Sequence, residues 1–151
     1  MAENTELVKI DDTVEIASRD YDVRELASSD AGAFCSIKAV DRASKIKAYN
    51  ASNHPTHKLS DFINKTIVVK DVYAETLELV NEETGELGQA PRIVLIAEDG
   101  ESYECVSVGV FSALKKLIAI FGEPTWEEPI KLIVKNEKVK AGTMLTLDAV
   151  E

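Results

Sequence analysis

The chain has 151 residues, 45% of them hydrophobic and 29% charged, the balance of a globular domain able to hold a core without staples. Its 27 acidic and 17 basic residues leave a net charge of −10, so any binding of nucleic acid needs local positive charge against overall repulsion. No apolar run approaches a membrane span, and the polar, acidic start MAENTELVKIDD is unlike a secretory signal.

Two cysteines, Cys35 and Cys105, and two histidines, His54 and His57, have no zinc-ligand spacing. The expectation is a cytoplasmic protein with reduced thiols, no metal and no cofactor.

Residues 1–28 are acidic and poor in large apolar groups, with a short alternating piece at Thr13-Val14-Glu15-Ile16. They read as an acidic arm, partly disordered, or as a short strand added to the main sheet. Residues 29–57 read as a helical extension. Ser29-Asp30 is a candidate N-cap, and Phe34, Ile37, Val40 and Ala43 or Ser44 recur at helical spacing, with Ala39, Ile46 and Tyr49 broadening the stripe. The expected helix runs from about 31 to 51, and Asn53-His54-Pro55 breaks it.

From residue 58 onward the pattern is β-rich. Thr66 to Leu79 forms one long run, and Glu82-Glu83-Thr84-Gly85 a turn. Arg92–Ala97 and Ser102–Val108 are the next strands, joined by the tight Asp99-Gly100 turn. Phe111–Phe121 is a helix closed by Gly122 and Pro124, with Phe111, Leu114, Leu117, Ile118 and Phe121 facing the core. Pro129–Lys135 and Thr143–Val150 complete the order, joined by a loop over 136–142.

Three strands, a helix and two strands form the order of an OB-fold, a five-stranded, partly open barrel suited to oligonucleotides or oligosaccharides. The expectation is a mainly β five-stranded OB-fold over 58–151, preceded by the N-terminal helix. An α+β sandwich shares the same string, but the long first strand can bend across two sheets and favours the barrel.

No GxSxG, HExxH or Walker motif is present, and the carboxylates are scattered as on a solvated surface, so no catalytic residues emerge. Binding has a better case. Between Pro129 and Leu147 the charged residues are Lys131, Lys135, Lys138 and Lys140 against Glu137 alone. Lys131 and Lys135 share a strand face by the two-residue period, and Lys138 and Lys140 fall in the following loop, where OB-folds contact oligonucleotides. The plainer role for these lysines is to guard an exposed strand against aggregation.

Tyr73, Tyr103 and Trp126 are the candidate stacking aromatics, and Arg92 a candidate phosphate contact. Trp126 between prolines also suits a barrel plug.

The segments KLSDFINKTIVVKDV, APRIVLIAEDGESYECVSVGVFSALKKLIAIFGEPTWEEP and MLTLDAV resemble small single-stranded-DNA-binding replication proteins of bacteriophages of Gram-positive bacteria, over roughly residues 40 to 150. The resemblance implies an OB-fold and sequence-tolerant coating of single-stranded DNA during phage replication or recombination. It transfers no base-contacting residue. The alternative is an acidic adaptor module of the replication or assembly machinery that does not touch nucleic acid. In either case the acidic surface is an expected docking face for replication or recombination proteins. The N-terminal helix is expected to pack on the barrel or to pair subunits in a homo-oligomer.

Overall fold

The computed structural model describes residues 7–11, 14–17, 33–38, 41–140 and 142–151; for 7–11, 14–17 and 78–79 only the backbone is described. The alternating runs pair into one curled sheet flanked by two helices, a mixed α/β architecture. The strands are β1 (Leu7–Asp11), β2 (Val14–Ala17), β3 (Ala33–Cys35), β4 (His57–Lys58), β5 (Thr66–Val80), β6 (Leu87–Ala97), β7 (Ser102–Val106), β8 (Ile130–Val139) and β9 (Gly142–Val150). The helices are α1 (Arg42–Asn53) and α2 (Val108–Phe121), and a 3₁₀ turn spans Leu59–Phe62.

The neighbour order is β1-β2-β7-β6-β5-β8-β9, with β3 lying on β5 and β4 parallel to β7. β5 organises this order. Its first residues pair with β8, from Thr66 opposite Ile133 to Val69 opposite Ile130. The rest pairs with β6, ending at Val80 opposite Leu87. The two ladders overlap at Val69, which faces Ile130 on one side and Ala97 on the other, and a bulge between Val69 and Asp71 in the β5–β6 ladder bends and twists the strand there. Among the described residues no ladder joins β7 to β9. A small cleft lined by Lys58, Arg92, Glu104 and Leu145 lies along that seam.

The core fills the inside of the curl. Phe111, Leu114 and Leu117 of α2 pack with Ile67, Val69, Leu95, Leu132 and Val134. Ser107 caps α2, its Oγ accepting from the Val110 N–H at 3.1 Å. Gly122, at φ 90°, ends the helix and donates its N–H to the Ile118 carbonyl at 2.9 Å. Near the start of α2, Gly109 lets the helix lie directly against the Leu145 carbonyl of β9, where a side chain would collide.

Several expected boundaries move. The helix expected from about 31 begins at Arg42, because Ala33–Cys35 pair with Tyr73–Glu75 of β5 and Phe34 packs against the core from a strand. The 34/37/40 spacing suits a helix, but a sheet edge that half-buries Phe34 against the core outweighs it. The cap is Asp41, whose carboxylate accepts from the Ser44 N–H at 2.7 Å and is held below its usual pKa by that bond. Ser29 and Asp30 lie outside the described residues. Val14–Ala17 does form a short strand on β7 and β6, as the alternating piece suggested; the rest of the acidic-arm expectation falls largely outside the described residues.

Phe121, expected in the core, is exposed beside Ile120, because α2 outruns the sheet it covers. The loop expected over 136–142 is mostly strand: β8 continues to Val139 and β9 starts at Gly142.

The α1 stripe keeps Ser44 on its covered side but loses Ile46 and Tyr49 to solvent. The helix contributes no fully buried residue. Ser44, Ala48 and Ala51 are half-covered, whereas Ile46 and Tyr49 are exposed. Small side chains let the helix settle close over β6. This accounts for Val94 and Ile96 being buried on the strand face opposite the main core.

Candidate nucleic-acid interface

The β8 lysines follow from strand alternation. Ile130, Leu132 and Val134 point into the core, leaving Lys131 exposed and Ile133 and Lys135 half-exposed on the outer face. Lys131 and Lys135 therefore share a face, about 13 Å apart at strand rise. Lys138 lies on strand β8, opposite Thr143, with the parity of Val134 and so on the other face. Lys140 stands in the tight turn that follows β8. The four lysines thus flank one hairpin without sharing one surface.

Acidic groups dilute this patch. Asp148 pairs with Ile133 between the two outer-face lysines, and Glu137 follows Lys135 on the same face. Lys131 also lines a cleft of about 540 Å³ with Glu123, Glu127, Glu128 and Glu151. Screening over about 10 Å at 0.1 M salt leaves these carboxylates within reach of Lys131. The distal end of the hairpin, around Lys138 and Lys140, has fewer carboxylates beside it, Glu137 being the nearest in sequence.

Arg92 and Tyr73 come together on the outer face of β5 and β6, but each is engaged. The Arg92 side chain is 16% exposed. It donates to Glu75 at 3.2 Å, to Glu104 at 3.0 Å and to the Ser52 carbonyl at 2.8 Å. Two carboxylates take its charge, and the third bond holds the last turn of α1. The Tyr73 hydroxyl donates to Glu75 at 3.0 Å. Burial, helped by that carboxylate, pushes its pKa up to about 12. Both residues line an open cleft of about 300 Å³ with Cys35, Tyr49 and Asn53.

Tyr103 is 8% exposed. His57 stacks on its ring at 5.1 Å, and Phe62 meets it edge-on at 4.9 Å. Trp126 is 5% exposed. Its indole N–H donates to the Gly122 carbonyl at 2.8 Å and its backbone N–H to Lys70 at 2.9 Å, so it closes the sheet below α2. Neither ring offers an open face to a base in this conformation. Glu75 and Glu104, the acceptors that decide what Arg92 does, belong to no motif in the sequence. The register opposite Glu75 carries that information only once β5 and β6 are paired.

Among the described residues no group of three or more His, Cys, Asp or Glu is placed to hold a metal ion, and no helix is long and apolar enough to cross a membrane.

Residues 27–149 match the family model of the phage single-stranded DNA-binding protein of phi29 type. No curated protein and no solved structure matches. The family match covers most of the chain, which therefore belongs to this family, whose members are non-enzymatic proteins that bind single-stranded DNA in phage replication.

Proposed function

We propose that this phage single-stranded DNA-binding protein coats single strands without strong sequence preference during phage DNA replication or recombination, in the host cytoplasm. The observation that carries this reading is the family match over residues 27–149. The order β5-β6-β7-α2-β8-β9, with β5 shared between β6 and β8, supports an OB-type barrel left open between β7 and β9. Backbone phosphates are the common feature of all single strands, so a coating protein needs cations along a path and stacking that any base satisfies.

The β8–β9 hairpin is proposed as one part of that path, through Lys135, Lys138 and Lys140, with Lys131 weakened by the surrounding glutamates. Tyr73 and Arg92 support the surface by holding the outer face of β5 and β6 in place. The test is competition between oligo-dT, a mixed-sequence single strand and a duplex of equal length. Similar affinities for the two single strands and weaker duplex binding support coating; preference for one sequence or for duplex contradicts it.

A second role is favoured by the end of α2. Ile120 and Phe121 are exposed there beside the Glu123, Glu127 and Glu128 cleft, an apolar spot rimmed with negative charge. It suits a basic protein of the replication or recombination machinery. Capture of such a partner after nuclease treatment, lost in a Phe121→Ala variant, is the expected result.

A further inference from the structure

We propose that α1 is a single-stranded-DNA platform: on its outer face Tyr49 stacks a base while Arg42 and Lys45 hold phosphates, and Lys47 on the other flank extends the cationic path. The inference rests on the single-strand-binding reading and locates a contact surface for it.

The helix sequence RASKIKAYNASN holds three cations and no carboxylate, in a chain whose net charge is −10. The only acid at its N-terminal end, Asp41, is committed to capping. Arg42, Lys45, Ile46 and Tyr49 recur at three- and four-residue spacing and so occupy one face. The opposite face, Ser44, Ala48 and Ala51, is the one that rests on the sheet.

Tyr49 is 64% exposed. It and Phe121 are the exposed aromatics among the described residues, and Phe121 lines an acidic cleft. An aromatic ring open to solvent and flanked by cations combines the two components of sequence-tolerant single-strand binding. The cleft under the other flank of the helix, about 260 Å³, adds Lys38 and Lys70 to Lys47, which widens the cationic path onto β5. That cleft also holds Asp71 and Glu98, and Asp71 accepts hydrogen bonds from Ser36 and Thr125.

Charge complementarity therefore assigns a polyanion to this face, and the exposed ring selects one with unpaired bases. A single strand satisfies both; an acidic protein segment satisfies the charge alone.

The experiment is titration of full-length protein with fluorescent oligo-dT at low salt, for wild type, Tyr49→Ala, Tyr49→Phe and Lys45→Ala/Lys47→Ala. Tyr49→Ala is expected to weaken binding about 5- to 150-fold, the range of one base–aromatic stack, while Tyr49→Phe stays near wild type. The double lysine variant is expected to reduce the salt slope by about 1.4, at about 0.7 per phosphate on single strands. Wild type that binds, with Tyr49→Ala and the lysine pair binding equally well, overturns the platform and leaves the function standing. Wild type that does not bind overturns both. Unchanged oligo-dT binding with lost binding of a polyglutamate peptide also overturns the platform, in favour of an acidic protein partner.

Discussion

The guanidinium of Arg92 donates to the main-chain carbonyl of Ser52 at 2.8 Å, tying the last turn of α1 to the middle of the sheet. The same side chain bridges Glu75 on β5 and Glu104 on β7, so one residue fixes three strands and a helix. Arg92→Ala is expected to lower stability by about 1–3 kcal/mol through its lost charge-assisted bonds. Amide exchange should rise over residues 42–53 more than in α2. Protection in α1 equal to wild type would show that its small-residue face alone holds it.

Gly109 touches the backbone of β9 where a methyl group would fall on the Leu145 carbonyl and the Met144 side chain. A carbonyl in a ladder cannot swing aside as a flexible side chain can. Gly109→Ala is expected to cost about 1–3 kcal/mol or more, despite the better helix propensity of alanine. Chemical denaturation measures it, and a stabilised variant would contradict the close approach.

Phe111 and Phe121 lie ten positions apart on one helix and differ sharply in burial, at 1% and 53% exposure. Phe111→Ala should lose about 3–5 kcal/mol. Phe121→Ala should stay within about 0.5 kcal/mol of wild type. Equal losses in denaturant melts would rule out the helix orientation described.

Tyr73 supplies a pH prediction. Its folded pKa of about 12 exceeds the ordinary tyrosine value of 10.0, so the folded state keeps a proton that the unfolded chain releases first. Stability from this group is complete below pH 10 and is lost as pH rises toward 12. Tyr73→Phe should flatten that part of the alkaline stability curve. A variant with an unchanged slope between those pH values would show that Tyr73 titrates normally.

Much of the sheet is legible in the sequence because its strands alternate or are continuously apolar. Arg92–Ala97 reads as a strand from its apolar run alone, and burial of Ile93 on one face and Val94 on the other explains why that run does not alternate. α2 was legible in type but not in extent, since Ser107 caps a turn earlier than Phe111 suggests.

Elements defined by a distant partner were not legible. Ala33–Cys35 becomes a strand only beside Tyr73–Glu75, and α1 half-covers Ala48 and Ala51 only because β6 lies beneath them. The candidate contacts divide along the same line. Lys131 and Lys135 share a face by local periodicity, whereas Arg92 and Tyr103 are claimed by side chains from other elements, and Trp126 is tied by its backbone N–H to the distant Lys70 carbonyl. A signal for α1 was present in the sequence. Counting charge by segment finds Lys38, Arg42, Lys45 and Lys47 against Asp41 alone.

The central claim is that a protein of net charge −10 binds single-stranded DNA through local cations. The direct measurement is the affinity of the full-length protein for fluorescent oligo-dT across a range of salt concentrations. The account predicts tight binding at low salt and a linear fall of log affinity with log salt, with a slope of about −0.7 per phosphate engaged. Removing Lys135, Lys138 and Lys140 together should shallow that slope. No binding at low salt, or binding indifferent to salt, would contradict it.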